Sequence, residues 1–327
     1  MTTVGRPAVA LRPFGPADYD DFVELSNEAY PEYQWTVDEV RYWDADWKPE
    51  GFFRRRIFAE QAGAPVGYAE ASNARGQFVP ANYQVDLVVR PAARRQGIGR
   101  VLFDDLVAAL RPRGAHWIRA QIKESDTASV AFAQQVGAAE LKRDWESRLD
   151  LAAFDAAPFA EAEGRAAAAD VRITTLADEM RRDPDAIRKA YALHEVVRVD
   201  VPNLDAPTPS PYERFEHEVL NGPGSMPDAY FIAVRDGRYV GESSLGKEGT
   251  DASVIYQQLT AVLRDERGKG IAMALKLKTI DYARAQGFRE IRTWNASINR
   301  PMLAINEALG FAKQPAWIVF GKDLSIS

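Results

Sequence analysis

The sequence predicts an α/β (α+β) protein of two tandem domains, each a mainly antiparallel mixed sheet flanked by helices. Three observations support this: the length of 327 residues, a short glycine-containing run that occurs twice, and a constant offset between the two occurrences. The chain is long for one domain and suits two of about 150 residues. The predicted domains are 1–151 and 171–327, joined by an Ala-rich linker at 152–170.

The repeated run lies each time between a predicted strand and a predicted helix. The two occurrences are Arg94-Arg95-Gln96-Gly97-Ile98-Gly99, after residues 85–89, and Arg267-Gly268-Lys269-Gly270-Ile271-Ala272, after residues 259–263. Arg267 lies 173 residues after Arg94, and Gly310 lies 173 residues after Gly137. A register held over this span predicts an internal duplication.

The first half of the chain contains the patterns of one complete copy. Alternation at 9–14 predicts a strand, and the apolar face of Phe22, Leu25 and Tyr30 predicts a helix. Thr36 and Glu39 form a capping box that starts a second helix. The remaining predictions are a hairpin of 56–60 and 65–72 turning at Gly63, strands 83–89, 117–122 and 141–149, and helices 101–110 and 127–136.

The second half repeats this plan. Predicted strands cover 171–176, 230–234, 239–245 and 255–263, and predicted helices cover 185–197, 212–220 and 273–285. A Pro-rich loop at 202–211 separates two of the helices. The same order of elements in both halves agrees with the duplication.

Composition excludes several classes of function. The chain has no cysteine, so disulfides, thiolate metal sites and thiol nucleophiles are excluded, and a cytoplasmic location is the default expectation. Net charge is −6 and evenly divided: residues 1–150 hold 19 Lys and Arg against 22 Asp and Glu, and the remainder 22 against 25. We therefore expect no nucleic-acid partner, and we also expect no membrane segment and no metal.

Glycines at a strand-to-helix junction allow a tight turn and leave backbone N–H groups open. The helix that follows adds the positive end of its dipole. Both runs therefore predict a site for a phosphate or pyrophosphate.

The pattern Arg-x-x-Gly-x-Gly/Ala after a Val-rich strand resembles the acetyl-CoA pyrophosphate loop of the GNAT superfamily of acyl-CoA N-acyltransferases. Residues 299–311, which begin with Asn299 and end in Leu-Gly-Phe, resemble the last helix of that family. The resemblance implies an N-acetyltransferase that uses acetyl-CoA as acyl donor. The positions it implies for cofactor binding are Val88, Val89, Arg94, Arg95, Gln96, Gly97, Ile98 and Gly99 in the first copy, and Ala261, Val262, Arg267, Gly268, Lys269, Gly270, Ile271, Ala272 and Asn299 in the second.

Both copies depart from the family at one position. Many relatives have a tyrosine four residues before the glycine that ends the last helix, and it is usually credited with protonating the leaving thiolate. This chain has Asn306 there in the second copy and Ala133 in the first. We therefore expect the C-terminal copy to be the catalytic one, and the first to be degenerate or cofactor-binding only.

Candidate catalytic residues are Glu242, as the base that accepts the proton of the amine, and Asn306, facing the thiol or the pantetheine arm. Asp200, His194 and Tyr256 are rival bases. The resemblance places an oxyanion donor at a backbone N–H near Ala261 or Val262, where it implies a bulge. Asn299 either binds the cofactor or only caps its helix.

In the family, the two helices after the first strand usually form the wall of the acceptor pocket. The candidates here, which are equally consistent with ordinary core and surface aromatics, are Tyr30, Tyr33, Trp35, Trp43 and Trp47. The predicted activity is acetyl transfer to a primary amine of a small molecule, by a monomer or a homodimer. The alternative is a non-catalytic acyl-CoA-binding sensor or interaction module.

Overall fold

The structure is a computed structural model that describes residues 9–45, 47, 51–161, 164 and 168–325. It contains two compact units, Met1–Leu141 with Ile318–Ser327, and Lys142–Trp317. The predicted linker at 152–170, as far as it is described, belongs to the second unit, and the last strand of the chain belongs to the first. Residues 162–163 and 165–167 of that linker lie outside the described residues.

The first unit contains a sheet with helices packed against it. Its strands are β1 (Ala10–Pro13), β2 (Arg54–Gln61), β3 (Ala64–Ser72), β4 (Asn82–Val89), β5 (Trp117–Lys123) and β13 (Trp317–Asp323, in this unit from Ile318 on). Its helices are α1 (Tyr19–Ala29), α2 (Val37–Ala45), α3 (Ile98–Leu110) and α4 (Thr127–Gln135). The strand order is β1-β2-β3-β4-β5-β13, with β4 and β5 parallel and β1 to β4 antiparallel.

Two local predictions are confirmed in this unit. The N–H of Glu39 donates to Oγ1 of Thr36 at 3.2 Å, and the N–H of Thr36 donates to Oε2 of Glu39 at 2.8 Å, so the capping box forms ahead of α2. The turn between β2 and β3 has positive φ at Ala62 (51°) and Gly63 (81°), as a tight hairpin requires.

The second unit repeats the architecture. Its strands are β6 (Ala139–Asp150, in this unit from Lys142 on), β7 (Arg172–Thr175), β8 (Tyr230–Arg235), β9 (Arg238–Gly246), β10 (Val254–Val262), β11 (Glu290–Ala296) and β12 (Ala312–Lys313). Its helices are α5 (Leu176–Arg182), α6 (Ala186–Val197), α7 (Tyr212–Asn221), α8 (Ile271–Ala285) and α9 (Arg300–Ala308). The order β6-β11-β10-β9-β8-β7 contains one parallel pair, β10 with β11, so the predicted mainly antiparallel mixed sheet is confirmed.

One predicted element ends earlier than expected. The strand predicted at 171–176 stops at Thr175, because Oγ1 of Thr175 accepts a hydrogen bond from the N–H of Asp178 at 3.0 Å and caps α5. The sequence analysis had no helix at this place.

The parallel pair of each unit separates towards the glycine-containing loop. β4 pairs with β5 only from Asn82 to Gln84, and β10 pairs with β11 only from Val254 to Tyr256. The strands continue beyond these residues without pairing to each other. We call the resulting openings the first cleft, between β4 and β5, and the second cleft, between β10 and β11.

Candidate active site

The two glycine-containing loops have the same backbone conformation. Gly97 (φ 88°) and Gly270 (φ 77°) each precede the first residue of a helix, Ile98 of α3 and Ile271 of α8. The left-handed conformation strongly favours glycine here. The first amides of a helix have no intrahelical acceptor, so both loops leave N–H groups available at the start of α3 and α8. In the first unit Gly97, Ile98 and Gly99 line the cleft.

The arginine that opens each loop donates to the preceding strand. Nε of Arg94 lies 3.0 Å from the carbonyl oxygen of Val89, and Nε of Arg267 lies 3.1 Å from that of Val262. The same contact recurs at the 173-residue offset. The two arginines therefore hold their loops against the strand ends, whatever they also contribute to ligand binding.

Asp200, one of the rival bases, forms ion pairs with two arginines at the second loop, Arg264 and Arg267. The hydrogen bond from Arg264, followed by that from Arg267, lowers the pKa of Asp200 to about 2. Lys269 of the same loop donates to Glu266 at 2.7 Å. These ion pairs stiffen the loop and leave Asp200 a poor proton acceptor at neutral pH.

The first cleft is a cavity of about 830 Å³, and the loop that begins at Arg94 forms part of its wall. Other walls are the separated ends of β4 and β5 and the facing sides of α3 and α4. Asp86 lies in the wall, accepts a hydrogen bond from the hydroxyl of Tyr68 at 2.6 Å, and has a pKa raised by burial. A cavity of this size accommodates a ligand of cofactor dimensions.

The predicted acceptor aromatics are separated by the structure. Tyr30 and Tyr33 line the first cleft, whereas Trp47 lines a different cavity of about 820 Å³ with Phe52. Trp35 and Trp43 are exposed. The sequence grouped these side chains only by their nearness in the chain, which does not fix the side of the sheet on which a loop lies.

Glu242, the predicted base, forms a buried cluster with His194 and Tyr230 in the second unit. Its Oε1 lies 2.9 Å from Nδ1 of His194, and its Oε2 accepts a hydrogen bond from the hydroxyl of Tyr230. The side chain of Glu242 is 2% exposed, against 29% for the side chain of His194. Burial lowers the pKa of His194, but the hydrogen bond and charge of Glu242 outweigh burial, so that pKa lies above its usual value. Two residues that the sequence offered as rival bases therefore form one hydrogen-bonded pair.

The strand β10 is irregular near the predicted oxyanion donors. Its register with β9 shifts between Gln257 and Thr260, directly before Ala261. Ala261 lies opposite Glu242, and Val262 lies opposite Gly241. The third rival base, Tyr256, precedes this irregularity and stacks on Trp294 at 5.7 Å between ring centroids.

Asn306 is 1% exposed and has one unsatisfied atom. Its Nδ2 donates to Oδ1 of Asn295 on β11 at 2.6 Å, while its own Oδ1 is buried without a partner. A buried acceptor without a protein donor is costly, and this oxygen could accept a hydrogen bond from a cofactor. Asn299 caps α9, because its Oδ1 accepts from the N–H of Met302 at 3.4 Å.

The 173-residue register shows how the two clefts differ. The apolar residues that line the first cleft include Phe103, Ile122, Ala133 and Ala138. Their counterparts in the second unit are Lys276, Asn295, Asn306 and Phe311. Three apolar positions are therefore polar in the second copy.

Lys276 was not found by the sequence analysis. It is 1% exposed on α8, and burial lowers its pKa to about 7. The signal that could have found it is a lysine at a position whose counterpart, Phe103, belongs to an apolar helix face.

Within the described ranges, the side chains and helices offer neither a metal site nor a membrane span. There, no group of three or more His, Cys, Asp or Glu side chains has an arrangement suited to a metal ion. Nor does any helix in those ranges have the length and apolar character needed to cross a bilayer.

Comparisons with known proteins agree with this architecture. Residues 19–138 and 191–311 each match the Acetyltransferase (GNAT) family. The mycothiol acetyltransferase of Thermobifida fusca is 26% identical over 279 residues, which cover 81% of each chain, and that of Thermobispora bispora is 27% identical over 232 residues, covering 70% of this chain and 72% of the relative.

Solved structures share the fold. A tandem GNAT protein from the clavulanic acid biosynthesis pathway superposes with a TM-score of 0.72 at 20% identity. The superposition covers 97% of this chain and 98% of that protein's chain. A GCN5-related N-acetyltransferase from Sphaerobacter thermophilus has a TM-score of 0.69 at 18% identity, with 96% and 95% covered. At these identities the likeness concerns the fold alone.

Proposed function

Because the chain belongs to the Acetyltransferase (GNAT) family, we propose that its second copy transfers an acetyl group from acetyl-CoA to a primary amine of a small molecule by direct attack. The observation that supports this most is the contact of Glu242 with His194, in the copy whose cleft is polar. Buried polar groups cost folding free energy, so a cleft that gains them is expected to use them.

The pair can remove the proton that the amine must lose. An alkylamine with a pKa of about 10.4 is only about one part in 2,500 neutral at pH 7. Both oxygens of Glu242 already have partners, and His194 is the more exposed member of the pair. His194 therefore accepts the proton at Nε2, while Glu242 holds Nδ1–H and stabilises the imidazolium.

Features of the second copy fit coenzyme A. A side chain built at Gly268 (φ 79°) meets nothing within 4 Å, so the loop backbone is open to a pyrophosphate. The unsatisfied Oδ1 of Asn306 can accept from an amide N–H of the pantetheine arm. The shifted register before Ala261 leaves backbone groups available for the thioester oxygen.

The first copy binds acetyl-CoA in our proposal, since its loop and cavity offer the same elements. Its cleft has Ala133 and Phe103 where the second has Asn306 and Lys276.

The similarity to proteins named mycothiol acetyltransferase supports a small, amine-bearing acceptor, with a mycothiol-related amine as the first to test.

Release of free thiol from acetyl-CoA tests this function across a panel of amines. The chain has no cysteine, so a thiol-reactive dye reports only the released coenzyme, provided that acceptors containing thiols are S-blocked. We expect at least one amine to raise thiol release well above the rate with acetyl-CoA alone. If every amine fails while acetyl-CoA still binds, the sensor alternative replaces the enzyme.

A further inference from the structure

The buried Lys276 of the second unit has no role in the proposed function. Departure of coenzyme A leaves a thiolate that takes up a proton. The amide of Asn306 stands where many relatives have a tyrosine, and an amide cannot act as an acid at neutral pH. The proton must come from another group.

Lys276 lies on α8, six residues after Gly270, which is roughly 9 Å along the helix axis. Its Nζ lies 5.1 Å from the centre of the ring of Phe311. Phe311 follows the end of α9, the helix that carries Asn306, by three residues. In the first copy the counterparts of these three residues, Phe103, Ala138 and Ala133, all line the cavity. The duplication therefore places Lys276, Phe311 and Asn306 around one cleft.

The titratable groups on the strands packed against α8 have partners elsewhere. Tyr230 and Glu242 contact each other and His194, and Tyr256 stacks on Trp294. The remaining pairs are Arg235 with Glu266, Arg238 with Asp265, and Tyr239 with Glu179. None of them shifts the pKa of Lys276, whose lowering comes from burial alone.

We infer that Lys276 is the general acid that protonates the departing thiolate of coenzyme A in the second copy. This inference rests on the proposed function. The ammonium form of the acceptor first loses a proton to His194, which passes it to solvent. The neutral amine nitrogen then forms a bond to the acetyl carbon as the carbon–sulfur bond breaks, and the second proton passes from this nitrogen to His194. The ammonium of Lys276 gives its proton to sulfur and becomes a neutral amine, which is reprotonated before the next turnover.

The acidity of Lys276 suits this step. A pKa of about 7 keeps about half of the groups protonated at neutral pH, and an ordinary thiol has a pKa of about 8.5, so the transfer is downhill. An ordinary lysine, with a pKa of about 10.4, would be a weaker acid than the thiol. Burial, which lowers the pKa of Lys276, is thus what makes this lysine a suitable acid.

Lys276→Met tests the inference, with Lys276→Gln as a second variant. We expect kcat for amine-dependent thiol release to fall about 100-fold, near the lower end for a general acid because a thiolate departs fairly well unaided. The KM for acetyl-CoA should stay within about 2-fold. The wild-type kcat should decline above about pH 7, and this decline should be absent from both variants. Lys278→Met, on the same helix, is the matched control and should keep the wild-type profile.

Three results would overturn the role of Lys276: full kcat in Lys276→Met, a rise in KM alone, or a variant that keeps the alkaline decline. If neither variant folds, the wild-type profile decides by itself, because a kcat that is flat from pH 6 to 9 contradicts an acid of this strength. Absence of any amine-dependent thiol release by the wild type would instead reject the proposed function.

Discussion

Gly270→Glu is expected to lower kcat/KM for amine-dependent thiol release by about 1,000-fold or more. Gly270 has φ 77° at the start of α8, a conformation that costs a residue with a Cβ about 1–2 kcal/mol. The new carboxylate would also stand where the pyrophosphate binds, and such like-charge contacts cost several kcal/mol. The measurement is kcat/KM for acetyl-CoA at saturating amine.

Two variants separate the effect on the site from the effect on the backbone. Gly97→Glu makes the same change at φ 88° in the first loop and should leave turnover within about 3-fold, because transfer occurs in the second copy. Gly287→Glu places a glutamate at φ 78° at an exposed position two residues after the end of α8, at the opposite end of the helix from the loop, and should be as active as wild type. Equal losses from Gly97→Glu and Gly270→Glu would refute the division of roles.

Glu242→Gln is expected to lower kcat by about 100- to 10,000-fold with little change in the KM for acetyl-CoA. Glutamine has the shape of glutamate and can still contact Tyr230, but it cannot stabilise the imidazolium of His194. Glu242 raises the pKa of His194, and the base must be neutral to accept a proton. The acidic limb of the kcat profile should therefore move to lower pH in the variant while its plateau falls.

The matched control is Glu179→Gln, which removes another buried carboxylate of the same unit. Glu179 accepts from Tyr239 at 3.2 Å and pairs with Arg172, without a histidine. Its variant should keep the wild-type kcat and pH profile even if it loses stability. An unshifted acidic limb in Glu242→Gln would show that His194 is not the base.

The loops could be predicted from the sequence because their function depends on local backbone chemistry. Glycine at a strand-to-helix junction indicates a tight turn with open backbone N–H groups. The 173-residue register then relates the second loop to the first. The roles of Arg94 and Arg267 could not be predicted in this way. An arginine beside a predicted phosphate site suggests ligand binding, whereas each one also donates to the last carbonyl of its strand.

The pairing of Glu242 with His194 was beyond the sequence because the two residues lie 48 positions apart on a strand and a helix. Lys276 was missed for a different reason. Helix α8 buries residues on several faces, including Leu275, Lys276, Leu277 and Thr279, so its pattern does not separate an interior side from an exposed one. The membership of β6 in the second unit and of β13 in the first could not be predicted either, since alternation shows that a segment is a strand but not which sheet it joins.

Counting the acetyl groups transferred in a single turnover tests most directly whether the second copy alone performs the transfer. Protein loaded with labelled acetyl-CoA, freed of excess donor and mixed with the best amine, should acetylate one amine per chain in the fast phase while the remaining label stays bound. The same experiment on Gly270→Glu should give no fast phase. Two acetyl groups per chain, or a fast phase that survives Gly270→Glu, would contradict the account and assign chemistry to the first cleft, where Asp86 lies in the wall.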